Sequence, residues 1–178
     1  MAIYSADTRL SAILSTGHTG SGTKKLAGDM TRKSLFTIGF TQKTAEEFFE
    51  LIKSHDIEIV ADVRFNNNSQ LAGFTRKRDL PYFLEKICNC EYSNCPELAP
   101  SSEILKPYKK KLITWEEYSQ KYITLMETRN AAKFFHERFK LRNSVCLLCA
   151  EPTPEKCHRR LLAEIIAREY QGTEIIHL

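Results

Sequence analysis

The chain has 178 residues, 42% hydrophobic and 27% charged, with a formal net charge of +4 at pH 7. That length suits one domain with a single sizeable core, and no apolar run reaches the roughly 18 residues that a membrane span requires. The mild basic balance is compatible with nucleotide or nucleic-acid partners without requiring them.

The first segment, residues 1–33, holds four of the seven glycines with many Ser and Thr and no sustained apolar period; this composition predicts a flexible N-terminal extension. It has no basic region followed by a continuous apolar stretch and a cleavage site, so the protein is expected to be cytoplasmic. Within it, GHTGSGTK at 17–24 looks like a phosphate-binding loop, but Thr23 precedes Lys24, the reverse of the order that cradles phosphate and magnesium. No cofactor is expected from it.

A single α/β domain is predicted over residues 34–178. SLFTIGF reads as a strand, followed by Thr44 as a helix cap and the amphipathic helix AEEFFELIKSH. IEIVADVR is a second strand, apolar on both faces as in a sheet covered by helices on each side. After the polar loop FNNNSQLAGFTRKR, Asp79 is expected to cap a short helix, DLPYFLEKI, and EYSNCPEL adds a short strand. Residues 114–141 read as one long helix or two, with an aromatic stripe at helical spacing that belongs to a core. SVCLLCA is a further strand, PEKCHRRLLAEIIAREY a helix capped by Thr153, and TEIIHL the last strand. Strands alternating with helices predict a three-layer, Rossmann-like fold with a mainly parallel sheet. In such sheets ligands bind beyond the carboxyl ends of the strands, where Gly39, Arg64 and Glu151 are expected.

The turn into the last long helix carries Cys157, His158 and Arg159. A helix start offers unpaired N–H groups and a partial positive charge, which favour an anion and a thiolate. Helical spacing turns Cys157 and His158 inward and Arg160 outward, and lets Arg159 swing toward the rim. With Arg64 as a second planar fork and Ser69 as a further donor, the site is a candidate anion trap; Glu151 beside it is a candidate base or nucleophile. Arg64 and Arg159 can equally form structural ion pairs with Asp62 or Glu151, and Cys157 can be a buried thiol.

Sharper chemistries fail on spacing. A thiol phosphatase needs Arg six positions after its Cys, and Glu155 and Ala163 stand at those places after Cys149 and Cys157. A zinc site can be drawn from Cys146, Cys149, Cys157 and His158, but Cys146 and Cys149, three apart in one strand, point to opposite faces and cannot chelate together. Cys88, Cys90 and Cys95 lack an obvious fourth ligand nearby. No metal site is expected.

TIGF at 37–40, DVR at 62–64 followed by Ser69, GF at 73–74, LLCAE at 147–151 and CHRRLLA at 157–163 together resemble the family known as domain of unknown function 488, over residues 34–178. The resemblance implies an α/β domain with a shared polar site mapping to Gly39, Arg64, Ser69, Glu151, Cys157, His158 and Arg159. It implies no settled activity, although members are sometimes labelled as DNA repair proteins. Phe40 stands where the family often has His, and Leu98-Ala99 where it often has Leu-Gly. The reading that combines residues and resemblance is a protein binding a nucleotide or other phosphate-bearing ligand, with Arg64 and Arg159 on phosphate, His158 donating a proton and Glu151 acting in N-glycosidic hydrolysis. The alternatives are a non-catalytic nucleic-acid-binding module using TRKR at 75–78 and KPYKKK at 106–111, and a thiol or metal-site protein.

Overall fold

The computed structural model describes residues 33–68 and 73–178; Ser69 and the predicted N-terminal extension, save Lys33, lie outside the described residues. The apolar runs form strands β1 (Ser34–Gly39), β2 (Ile59–Asp62) and β4 (Ser144–Cys149), with β3 (Glu91–Asn94) and β5 (Glu174–His177) at the edges. All pair in parallel, in the order β3-β2-β4-β1-β5. The pleat sends alternate side chains to two cores: Leu35, Ile59, Ala61, Val145 and Leu147 to one face, Phe36, Ile38, Val60, Cys146 and Leu148 to the other.

Helices α1 (Ala45–Ser54) and α2 (Leu80–Cys88) cover the second face, while α3 (Ser102–Lys109), α4 (Trp115–Thr128), α5 (Ala131–Phe139) and α6 (His158–Glu169) cover the first. The result is a three-layer, Rossmann-like α/β domain. Capping boxes start α1 and α4: Thr44 and Thr114 accept from the N–H of Glu47 and Glu117, whose carboxylates accept in return from the cap N–H. The 114–141 segment is two helices, because Asn130 adopts a left-handed φ of 51° that no helix continues through.

Three local expectations are corrected. Asp79 occupies the cap position of α2 without making the cap bond; its carboxylate accepts from Arg78 Nε instead. KPYKKK, read as a basic segment without an element of its own, includes the last turn of α3, with Pro107 tolerated near the helix end while Ile104, Leu105 and Tyr108 pack inward. The last long helix starts at His158, with Cys157 at the cap position, rather than at Pro154. The carbonyl of Pro154 is taken by the Cys157 N–H in a turn, and those of Glu151 and Pro152 are held by Arg159, so the chain from 151 to 156 cannot wind into the helix.

Neighbouring strands β1 and β4 leave the sheet toward opposite layers, β1 into α1 and β4 into α6. Their carboxyl ends therefore flank the topological switch point, the place where a parallel sheet opens a crevice.

Candidate functional site at the strand C-termini

At the β1/β4 crevice the backbones nearly touch. A Cβ at Gly39 would lie 1.7 Å from the Glu151 carbonyl oxygen, so only glycine fits. Arg159 closes the same corner: Nη1 donates to the Glu151 carbonyl at 2.6 Å, Nη2 to the Pro152 carbonyl at 3.4 Å, and Nε to Thr37 Oγ1 at 3.3 Å. Thr37 Oγ1 also hydrogen-bonds His177 Nδ1 at 2.7 Å, so the two side chains share one hydroxyl. Partial burial and then the Arg159 charge hold His177 below the ordinary histidine range. Arg159 is 0% exposed, which corrects the expectation that it swings to the rim. Its acceptors are two carbonyls and a hydroxyl, and among the described residues no carboxylate pairs with it. Lys43, on the β1–α1 loop, feels the same corner: partial burial, then Arg159, push its ammonium below the usual lysine range, and Glu47 partly offsets this. Glu151 itself is exposed; its carbonyl, not its carboxylate, meets Arg159.

Arg64 lies on the other face of the sheet. The strand period puts Asp62 and Arg64 on one side, and the guanidinium grips the carboxylate bidentately, with Nε to Oδ1 and Nη2 to Oδ2 both at 2.7 Å. Its remaining N–H groups reach the hydroxyl and carbonyl of Thr75, and Phe40 stacks at 5.3 Å from the guanidinium carbon. Tyr92 and Asn67 complete the Asp62 carboxylate, and burial, then the Asp62 charge, raise the Tyr92 phenol. This network ties β2 and β3 to the loop at 73–75. Arg64 thus makes the structural ion pair weighed from the sequence, and the two guanidiniums share no partner.

The structure also assembles three of the four residues weighed as a zinc set, without Cys146. Cys149 ends β4 on the α6 side, where it meets Cys157 and His158; their ligating atoms all lie within 4.8 Å of one another. His158 Nε2 donates to the Val63 carbonyl at 3.0 Å, leaving Nδ1 3.7 Å from Cys149 Sγ. All three residues are buried. A hydrogen bond from Cys157, opposed by burial and helped by His158, sets the Cys149 thiol well below the ordinary cysteine range, while the Cys157 thiol, bonded to Cys149 and buried, is pushed up. Burial opposes charging His158, but the Cys149 charge and hydrogen bond outweigh it and the net shift is upward. Cys146 faces the opposite core, as the period-2 rule requires, and Cys90 and Cys95 also fall into different cores.

Of the residues expected at the site, Gly39, Glu151, Cys157, His158 and Arg159 therefore gather around the β1/β4 crevice, Arg64 stands apart on the other face, and Ser69 lies outside the described residues. Cys149, Lys43, Thr37 and His177 join the group. An apolar cavity lined by Leu35, Phe135, Phe139 and Tyr170 opens near the other end of the strands and is separate from it.

Fold and site together define a parallel α/β protein with a polar cluster at the carboxyl ends of its central strands. The family model described as domain of unknown function DUF488 matches residues 44–166, and the chain belongs to that family. DVR, LLCAE and CHRRLLA lie inside the match and TIGF outside it. No curated protein and no solved structure matches the chain. No helix among the described residues is long and apolar enough to cross a membrane.

Proposed function

We propose that the chain binds the phosphate of a nucleotide, or of a nucleic-acid end, at the β1/β4 crevice, and that Glu151 acts there in hydrolysis of an N-glycosidic bond. Arg159 carries the reading. A guanidinium removed from water and bonded to neutral oxygens makes no ion pair with a carboxylate among the described residues, Glu155 meeting its charge only through space, and Lys43 adds a second cation to the same field. An anion entering the crevice relieves both. Arg159, pinned by its carbonyls, supplies fixed charge, and Lys43, partly exposed on its loop, supplies the direct contact. Glu151 extends from the strand end with its carboxylate in solvent, placed to attack or to activate water at a sugar carbon as the C–N bond breaks, the departing base taking a proton. Cys157 and His158, buried behind the loop, position it rather than touch the ligand.

The test incubates the full chain with nucleoside 5′-monophosphates and measures release of free base by chromatography. Turnover is expected in the wild type and lost in Glu151→Gln, which still binds. Turnover unchanged in that variant removes Glu151 from the mechanism, and no free base from the wild type removes the hydrolase reading. A second reading has its own observation: Lys77, Arg78, Lys106, Lys109, Lys110 and Lys111 are exposed. Nucleic-acid binding that weakens steeply with salt and survives Glu151→Gln would favour a binding module built on those residues.

A further inference from the structure

We infer that Cys149, Cys157 and His158 form a zinc site. Two sulfurs and a ring nitrogen from the end of β4 and the start of α6 meet within 4.8 Å. Metal–ligand lengths of about 2.3 Å for sulfur and about 2.0 Å for nitrogen give a tetrahedral S···N edge of about 3.5 Å; Cys149 Sγ stands 3.7 Å from His158 Nδ1 and 3.8 Å from Nε2, so a turn of the ring brings Nδ1 to bear on a shared ion. The other nitrogen of the imidazole donates to a backbone carbonyl, that of Val63, which leaves Nδ1 as the nitrogen available to a metal. Charge also closes: two thiolates and a dication sum to zero, which suits a site whose three residues are at most 7% exposed. Thiolate and imidazole donors select zinc over magnesium or calcium. Three protein donors leave the fourth corner to a small ligand or water, the arrangement of zinc sites that take part in chemistry rather than of closed structural ones.

This inference needs only the three donors and stands apart from the glycosidic reading. Full-length chain, produced with zinc in the medium and purified under reducing conditions without chelator, is assayed for metal content. It is then exchanged with cobalt(II), whose tetrahedral thiolate complexes absorb in the near ultraviolet and the visible. About one zinc per chain is expected, together with both cobalt bands. Cys149→Ser, Cys157→Ser and His158→Ala should each lose the metal, whereas Cys146→Ser, on the opposite face, should keep it. Glu151→Gln should leave the cobalt spectrum intact, so failure of the hydrolase reading and failure of the metal site are told apart. The cobalt spectrum of the wild type decides the matter even where a ligand variant fails to fold. Reduced wild type that takes up neither metal, or equal loss of metal in Cys146→Ser and Cys149→Ser, would overturn the site.

Discussion

Arg64 and Arg159 are both buried arginines near strand ends, and the sheet treats them in opposite ways. Arg64 has a carboxylate two residues earlier on the same face, gripped through two bonds of 2.7 Å, so its charge is balanced inside the protein. Arg159 reaches across the sheet to two carbonyls and a hydroxyl and is balanced by no carboxylate among the described residues. Side-chain chemistry and burial are nearly the same, so the partner decides the role. A paired guanidinium fixes a loop; a guanidinium with neutral partners fixes a loop and also leaves a field that a ligand can use.

The largest effect should come from breaking the balanced pair. Asp62→Asn leaves Arg64 buried beside a neutral amide and should cost about 3–5 kcal/mol in urea unfolding. The double change Asp62→Leu with Arg64→Met should return much of that loss, since an apolar pair carries no buried charge. Gly39→Ala comes next at about 3 kcal/mol, because the new methyl meets backbone, not a side chain that can turn aside. Arg159→Met should cost about 2 kcal/mol, the loss of donors to three oxygens without an orphaned carboxylate. A cost above that of Asp62→Asn would show that Arg159 is balanced after all, and would break the comparison.

Thr37→Val, which cuts the relay from Arg159 to His177, should cost about 1 kcal/mol. It also sharpens a pH effect. His177 has its folded pKa lowered, by burial, Arg159 and Arg160 against Glu155 and Glu164, so the unfolded chain takes up the proton first. That stability is present above the unfolded value of about 6.5 and is lost as pH falls below it toward the folded value. The wild type should therefore soften slightly between pH 7 and 5, the smallest of these effects because His177 is exposed. An NMR titration of His177 placing its pKa above 6.5 would contradict the influence of Arg159 on the ring.

Much of the fold was legible because its signals are local. Continuous apolar runs marked β1, β2 and β4, and Thr44 announced α1. The ion pair of Asp62 with Arg64 could also be read, since residues two apart on a strand share a face. What escaped was set by contacts across the chain. The start of α6 depends on Arg159 holding the carbonyls of Glu151 and Pro152, a side chain acting backward on the loop before it. Cys149, Cys157 and His158 were in view together as zinc ligands, but the set was put aside because its fourth member, Cys146, cannot chelate with Cys149; the fold of that same loop brings the other three together without it. Lys43 carried no motif, and only the burial of Arg159 beside it gives it meaning.

The central claim is that the Arg159 corner carries a positive field waiting for an anion. The direct measurement is thermal unfolding of the full chain against rising inorganic phosphate and nucleoside 5′-monophosphate, in wild type and in Lys43→Ala, whose partly exposed place on the β1–α1 loop spares the core. A ligand at about 100 times its Kd adds about 2.7 kcal/mol to stability; the wild type should show a concentration-dependent rise in Tm that Lys43→Ala largely loses. A flat wild-type response, or the same rise in both proteins, would contradict it.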